Sequence, residues 1–293
     1  MDNEEEIEMN RYGKRKVRYK KQLRFIPGYL LLGIWLAFTV AMIGWIILAS
    51  LSTTKEIFGN QILSSGLHWE NYANVLRKHK MSVYFANSII YSLSGCIGII
   101  LIAAPAAYVL SRISFRGKSV INNVFVIAMS IPSVMLVMPL FKMATSIGLI
   151  GSRWTLIILY ICINVPFGVF FLIGFFMSLP KALEEAAEID GCTPDQAFWK
   201  VMFPLAQPGI ITLTIFNFIN IWNEYFMALI FANKTGLRTV STGLQAIVQS
   251  MKYSGDWAGL FAGVVIVFLP TFILYLFLSN KIMAGITGGA VKE

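Results

Sequence analysis

Six long apolar stretches, separated by more polar segments, dominate the pattern of this sequence. About 20 mainly apolar residues in helical form cross the hydrocarbon core of a bilayer, and each stretch reaches that length. The apolar residues run without alternation, unlike barrel strands, and lipid offers no partner for an unpaired backbone amide. The pattern therefore predicts an all-α integral membrane protein with six transmembrane helices. The predicted spans are Phe25–Leu51, Phe85–Ser111, Val120–Phe141, Trp154–Leu179, Gly209–Phe231 and Gly259–Met283.

Composition and charge support a membrane location and predict its orientation. Hydrophobic residues make up 57% of the chain and charged residues only 13%, against about a quarter charged in soluble domains. The basic tail, residues 1–24, precedes the first span, so the positive-inside rule places the N-terminus in the cytoplasm. Six spans return the C-terminus to the same side. We therefore divide the chain into the tail 1–24, a membrane domain 25–283 and a C-terminal tail 284–293.

Two further features are the basic residues in the loops, which bear on orientation, and the length of the first apolar run. The basic residues near 112–118 fall on the cytoplasmic side, as expected, whereas those at 77–80 are an exception that the denser N-terminal cluster outweighs. The first apolar run is longer than the apolar core of a signal peptide, so we expect it to remain as a membrane anchor.

The sequence carries no recognisable catalytic or metal-binding pattern. His68 and His79 have no cysteine or acidic cluster at ligand spacing, and Cys96, Cys162 and Cys192 show no paired spacing. No glycine loop of the phosphate-binding type is present. Much of the net charge of +9 lies in the N-terminal tail, where basic residues meet lipid headgroups, so nucleic acid is not an expected partner. We expect no catalytic residue, metal site or cofactor on this chain.

A polar segment at 181–208 separates the fourth and fifth spans. Good helix formers over Lys181–Ile189 predict a short helix, which Gly191 ends. Thr193, followed by proline and then by Gln196, forms a capping box that predicts a second, amphipathic helix. Pro204 and Pro208 are expected to end that helix and to begin the fifth span.

The simplest interpretation is that these two helices only cover one end of the bundle. A connection between helices needs only about two to eight residues, however, and two capped helices bent at a glycine exceed that need. We therefore favour a docking element for another protein.

This segment resembles the EAA signature of the membrane subunits of binding-protein-dependent ABC importers. The matching positions are Glu185-Ala186-Ala187, Asp190-Gly191, Phe198, Pro204 and Pro208. The resemblance extends to the carbohydrate-uptake group, of the maltose-permease G type. It rests on Asn87-Ser88, AYVLSR at 107–112, IPSVMLVMPLF at 131–141, WNEYFMALIF at 222–231 and AGITGGAVK at 284–292.

The resemblance implies an importer of sugars or oligosaccharides in a bacterial plasma membrane. Its expected partners are a second homologous permease subunit, two cytoplasmic ATPase subunits that carry ATP and Mg, and an extracytoplasmic sugar-binding protein. The resemblance implies that ATPase coupling involves Glu185, Ala186, Ala187, Asp190, Gly191, Phe198 and Pro204. The C-terminal tail is expected to reach towards the ATPase interface.

A weaker signal in the spans indicates a path for the solute. At 100° per residue, Asn217, Asn220 and Glu224 fall within about 60° of one another on the fifth span, and intramembrane polar groups usually face a bundle interior or water. Asn164 before Pro166, and the serines around Pro132, mark kinks that open cavities. Hydrogen bonding between helices and movement of Glu224 to the interface remain alternatives.

Three other functions were weighed against a sugar importer. A permease for another polar solute fits the same motif. An intramembrane enzyme needs a catalytic pair at membrane depth, which the sequence does not offer. A secondary transporter needs no ATPase but also gives no reason for the capped polar segment.

Overall fold

The protein is all-helical over the residues that the structure describes. The computed structural model describes the backbone of residues 25–290 and the side chains of residues 25–278. The basic tail 1–24 lies outside the described residues. The described residues divide between two compact units, 25–68 and 69–290.

The first unit contains the helices α1, Ile26–Ser50, and α2, Thr54–Phe58. A proline in its first turn begins α1, as suits a position whose N–H has no helical partner. The 25 residues of α1 are apolar enough to cross a membrane. The first predicted span is therefore confirmed as a helix to within one residue at each end.

Glu56 organises the loop that follows α2. Its carboxylate accepts hydrogen bonds from the Thr53 backbone, the Ser64 hydroxyl, and both the backbone and hydroxyl of Ser65, at 2.6 to 2.8 Å. These donors, with the Ser65 hydroxyl first, hold the pKa of Glu56 well below its ordinary value because they stabilise the charged form. The carboxylate therefore fixes a loop in which Asn60 and Leu63 have positive φ.

The second unit contains eleven further helices among the described residues. They are α3 Glu70–Arg77, α4 Met81–Arg112, α5 Lys118–Ser130, α6 Ser133–Ser146, α7 Arg153–Ser178, α8 Ala182–Ile189, α9 Pro194–Leu205, α10 Gln207–Asn223, α11 Phe226–Phe231, α12 Val240–Ser254 and α13 Trp257–Ala290.

Four helices in the described part of the chain are individually long and apolar enough to cross a membrane: α1, α4, α7 and α13. Two further candidates are bent pairs, α5 with α6 at 100° and α9 with α10 at 72°. The count is therefore four, or six if each bent pair is one span. The all-helical membrane fold is confirmed, and the third and fifth spans differ from straight helices.

Proline chemistry explains the break in the third span. Ile131 adopts an extended conformation, with φ −82° and ψ 117°, because the ring of Pro132 disfavours helical geometry in the preceding residue. The predicted span Val120–Phe141 is therefore two helices that meet at Ile131 and Pro132.

The fifth span also breaks, at Glu224. α10 ends at Asn223, Glu224 is extended with ψ 130°, and α11 begins at Phe226. The projection of Asn217, Asn220 and Glu224 onto one helical face was therefore wrong for Glu224, which lies beyond the end of the helix. The residues from Tyr225 to Phe231 are apolar enough to continue the span, so apolar length did not reveal the break.

α4 and α7 pack closely at the centre of the second unit, and α10 packs against both. A Cβ atom on Gly168 of α7 would lie 3.0 Å from the Cβ atom of Ala103 on α4. Small residues let membrane helices approach and gain van der Waals contact where no hydrophobic effect drives association. The fully buried Leu156, Leu172 and Leu213 belong to the core that these helices share.

The last helix is longer than predicted. α13 continues to Ala290, past Met283, where the sequence placed the end of the sixth span. The backbone of residues 284–290, assigned to the C-terminal tail, is therefore helical.

Candidate functional site

α8 and α9 form a bent corner between α7 and α10. Gly191 has φ +78° after α8, a conformation that glycine adopts without the penalty of a side chain. The Thr193 hydroxyl accepts from the Gln196 amide, and the Gln196 side chain accepts from the Thr193 amide at 3.2 Å. The predicted capping box and the helix stop at Gly191 are both confirmed.

α9 ends at Leu205, directly after Pro204, and α10 begins at Gln207 with Pro208 in its first turn, as the sequence predicts. α9 includes a π-helical turn over Phe198–Met202, in which the Phe203 amide donates to the Phe198 carbonyl, and it continues to Leu205. Proline has no N–H and its ring clashes with the carbonyl four residues earlier, and a wider turn before the ring relieves both problems. The 72° bend to α10 follows at Ala206.

One face of the corner is anchored in the bundle by aromatic packing. Phe198 is 5% exposed, and its ring centroid lies 5.0 Å from that of Tyr108 on α4 and 6.3 Å from that of Phe176 on α7. Aromatic pairs at these separations contribute about 0.5–1.5 kcal/mol beyond area burial. Ala187 of α8 is also buried, at 5%. Phe198 therefore contacts the bundle, and neither Phe198 nor Ala187 is on the accessible surface.

Arg112 joins the corner to the ends of two long helices. Its Nη2 atom donates a hydrogen bond to the carbonyl of Leu179, the residue that ends α7. Its Nε atom lies 3.4 Å from a carboxylate oxygen of Glu184 on α8. This is an ion pair without an aligned hydrogen bond, and the two side chains are only 6% and 18% exposed.

The opposite face of α8 is exposed. Glu185, Ala186 and Asp190 lie on the surface, and Ile189 is 86% exposed. Glu185 and Ile189 are four residues apart, so they are neighbours on the helix surface. The face thus presents one large apolar side chain within an acidic border, on a helix whose other side is fixed.

A second polar cluster joins α7 and α10 within the fourth and fifth predicted spans. The Asn220 amide donates to the side-chain oxygen of Asn164 at 2.8 Å, and the Asn164 amide donates to the Tyr160 carbonyl at 2.7 Å. Asn164 is 9% exposed, whereas Asn220 is exposed. Asn217 is 2% exposed and donates to the Leu213 carbonyl of its own helix. The structure thus places Asn164 and Asn220 together and leaves Asn217 apart.

Glu224 stabilises the start of α11. Its two carboxylate oxygens accept from the amides of Met227 and Ala228 at 2.7 and 3.0 Å, and the Tyr160 hydroxyl donates to it at 2.7 Å. A carboxylate at a helix N-terminus satisfies amides that have no partner within the helix. Glu224 is therefore engaged by three donors, and Tyr160, 2% exposed, presents no ring face for sugar stacking.

A cavity of about 520 Å³ lies beside the kinks that the sequence marked. Pro132 and Ser133 line it from the break between α5 and α6, and Cys162, Pro166 and Phe167 line it from α7. The expected link between these prolines and a cavity is present in the structure. Its lining is mostly apolar, and Ser133 contributes a hydroxyl group.

Comparison with known proteins identifies the family. A family model described as binding-protein-dependent transport system inner membrane component matches residues 97–280, which is more than half of the chain. The chain belongs to this family. The matched range contains both the bent corner and the polar cluster of α7 and α10.

Relatives within this family include named sugar permeases. The diacetylchitobiose uptake system permease protein NgcG of Streptomyces coelicolor is 33% identical, over 90% of this chain and 88% of its own length. The trehalose transport system permease protein SugB of Mycobacterium tuberculosis is 32% identical, over 96% of this chain and 99% of its own. The sulfoquinovosyl glycerol transport system permease protein SmoH of Agrobacterium fabrum is 32% identical, over 93% and 94%.

Solved structures of ABC importers share the fold. A chain of a bacterial ABC transporter that imports the acidic polysaccharide alginate superposes with a TM-score of 0.76, at 24% identity, over 89% of this chain and 97% of its own. A chain of the methionine transporter MetNI has a TM-score of 0.51 at 19% identity, over 68% and 93%. The chain is thus a multi-pass membrane protein with the fold of this permease family.

Sequence reasoning missed the residues that hold the two clusters together. In the sequence, Arg112 served only to predict the orientation of the spans. Its position at the predicted cytoplasmic end of a span, on the same side as the acidic segment, could also have indicated an ion pair. Nothing in the local sequence marks Tyr160 as a hydrogen-bond donor to Glu224. Neither partner, Glu184 or Glu224, is near enough in sequence for the pairing to be read from spacing.

Proposed function

We propose that this chain is the permease subunit of an ATP-driven importer of sugars or oligosaccharides, and that it forms one half of the translocation path. Membership of the family and the similarity to three permeases named for the uptake of sugars or sugar derivatives support a carbohydrate as the solute. The observation that carries the coupling role is the corner of α8 and α9, rigidly held on one face and exposed on the other.

The exposed face of α8 is suited to an ATPase. Ile189 offers an apolar side chain for a pocket, Glu185 and Asp190 offer carboxylates for a basic or amide-lined border, and Ala186 permits close approach. Coupling requires an element whose position both sites bias, and a helix fixed to two spans transmits a displacement that a loose loop would absorb. Gly191, Phe198, Ala187 and Pro204 hold the geometry of the corner.

The complete importer has further subunits. ATP and Mg bind to two cytoplasmic ATPase subunits, a second homologous permease completes the path, and an extracytoplasmic protein delivers the sugar. We place both termini and the corner of α8 and α9 on the cytoplasmic side of a bacterial plasma membrane.

The solute path includes the cluster of Asn164 and Asn220. Asn220 is exposed and bonded only through its amide nitrogen, so its oxygen is available to a sugar hydroxyl. Asn217 and Glu224 act on the shape of α10 and α11 rather than on the solute, since both are bonded within the protein.

Co-purification tests the coupling role. The tagged full-length chain is purified from its source membranes, and retained subunits are identified by mass spectrometry. The wild-type chain should retain an ATPase. Cells that carry it should take up radiolabelled trehalose, diacetylchitobiose or maltose. Glu185→Lys should reduce both, because it reverses the charge at the exposed face, and Glu185→Gln should reduce them less. Lys252→Glu, an exposed site outside the corner, serves as the control. Full retention and uptake in Glu185→Lys contradicts the docking role.

A further inference from the structure

We propose that Arg112 is a positioning residue for energy coupling, which holds α8 to α4 and α7 so that movement of the corner reaches both helices together. This inference rests on the proposed function. It adds a residue outside the 181–208 segment to the coupling machinery.

The first argument is the geometry of one guanidinium group. Arg112 is the last residue of α4, its Nη2 atom bonds the Leu179 carbonyl at the end of α7, and its Nε atom pairs with Glu184 in the first turn of α8. A planar fork with several donors contacts two acceptors in fixed directions, which an ammonium group does not reproduce. One side chain therefore connects three helices.

The second argument is burial. The Arg112 side chain is 6% exposed and that of Glu184 is 18% exposed. Breaking a buried pair by removing one partner leaves an uncompensated charge, whereas an exposed pair has little effect on structure. The pair therefore resists separation when α8 is displaced.

The third argument is how weakly α8 would be joined to α4 and α7 if Arg112 were absent. Leu179 leaves the helical conformation with ψ 139°, so the backbone alone joins α8 to α7 through a short non-helical link at residues 179–181. On the other side, Gly191 breaks the chain direction again. Tyr108 on α4 also interacts with Glu184 of α8, and its ring contacts that of Phe198 in α9. Arg112 is the charged link between α8 and α4, and it also bonds the carbonyl that ends α7.

The experiment compares Arg112→Leu, Arg112→Lys and Glu184→Gln with Arg116→Leu, an exposed arginine on the turn after α4. The complex in lipid nanodiscs is assayed for ATPase retention and for ATP hydrolysis stimulated by a mixture of trehalose, diacetylchitobiose and maltose with the binding protein. Arg112→Leu should keep basal ATP hydrolysis and lower the sugar-stimulated increase about tenfold. This change lies within the roughly 5- to 150-fold range of allosteric coupling. Arg112→Lys should restore part of it, and Arg116→Leu should match wild type. Unchanged stimulation in Arg112→Leu overturns the proposal.

A second measurement needs no partner and separates positioning from general stability. Spin labels are placed at Ser114 and Glu188 of the full-length chain, in a variant without Cys96, Cys162 and Cys192. Arg112→Leu should broaden the distribution of distances between the labels, and Arg116→Leu should not. A lower melting temperature with an unchanged distribution means a merely structural role and overturns the proposal. If wild-type chain retains no ATPase, the proposed function fails, and that result is distinct from either outcome for Arg112.

Discussion

The hydroxyl of Tyr160 on α7 donates a hydrogen bond of 2.7 Å to the carboxylate of Glu224, at the point where α10 ends and α11 begins. The same carboxylate accepts from the first amides of α11. The break in the fifth span is therefore tied to the neighbouring helix, and its position is fixed by a side chain rather than by glycine or proline.

Replacing Tyr160 with phenylalanine should reduce stability by about 1.5–3 kcal/mol, the range for a hydrogen bond to a charged group. The substitution removes one donor and preserves the packing of the ring, which is 2% exposed. Thermal unfolding of the purified chain in nanodiscs measures the effect. Tyr253→Phe, at a tyrosine that is 94% exposed, is the matched control. Equal melting temperatures for Tyr160→Phe and wild type would show that the bond does not hold the break.

The sequence predicted the helices well and their breaks poorly, for a physical reason. Apolar length alone determines whether a helix can span lipid, so α4 and α7 appear within four residues of their predicted bounds. The Tyr160 hydroxyl that bonds Glu224 lies 64 residues earlier in the chain, and no local pattern records that pairing. Local capping signals, such as Thr193 with Gln196, were read correctly because both partners lie within one turn.

Asn220 and Asn217 should respond differently to substitution by leucine. Asn220→Leu should lower sugar uptake while assembly stays normal, because Asn220 is exposed and its amide contacts Asn164. Asn217→Leu should instead lower the melting temperature, since Asn217 is 2% exposed and a larger side chain does not fit a packed core without strain. Uptake by vesicles and unfolding of the purified chain are measured for both variants. Equal uptake in Asn220→Leu and wild type would remove Asn220 from the path.

The interior of the candidate site was less predictable than its surface. The acidic, alanine-rich composition of α8 indicated an exposed docking face, and Glu185, Ala186 and Asp190 are exposed. The buried positions Ala187 and Phe198 belong to the same motif, yet neither is on the accessible surface. A motif in sequence does not distinguish residues that contact a partner from residues that hold the contacting face in place.

Glu56→Gln should loosen the loop after α2 at neutral pH and have less effect in acid. The pKa of Glu56 is lowered in the folded protein, so its carboxylate contributes stability above the ordinary pKa of 4.5. That contribution is lost as the pH falls through the lowered folded pKa. Hydrogen–deuterium exchange of peptides covering residues 60–66 gives protection factors at pH 7 and at about pH 3 for both proteins. A difference between wild type and variant that stays constant with pH would contradict the assignment.

Gly191 provides the final prediction, because backbone conformation and side-chain space can be separated there. A Cβ atom at Gly191 would meet no atom within 4 Å, yet φ is +78°. Gly191→Ala should therefore cost about 1–2 kcal/mol from the left-handed backbone alone, and Gly191→Asn should cost less because asparagine tolerates this conformation.

Gly191→Pro should be the most harmful substitution in this series. Proline fixes φ near −65°, and it removes the amide that donates to the Glu188 carbonyl at 3.0 Å. ATPase retention and sugar-stimulated ATP hydrolysis should decrease in the order wild type, asparagine, alanine, proline. Gly174→Ala, at a helical glycine with open space around it and no positive φ, should leave both unchanged. The contrary outcome is that ATP hydrolysis in the alanine and asparagine variants is stimulated as weakly as in the proline variant. That result would mean that neither the Gly191 amide nor its positive φ is what the corner requires. The absence of a side chain at the docking face would then be the property that matters.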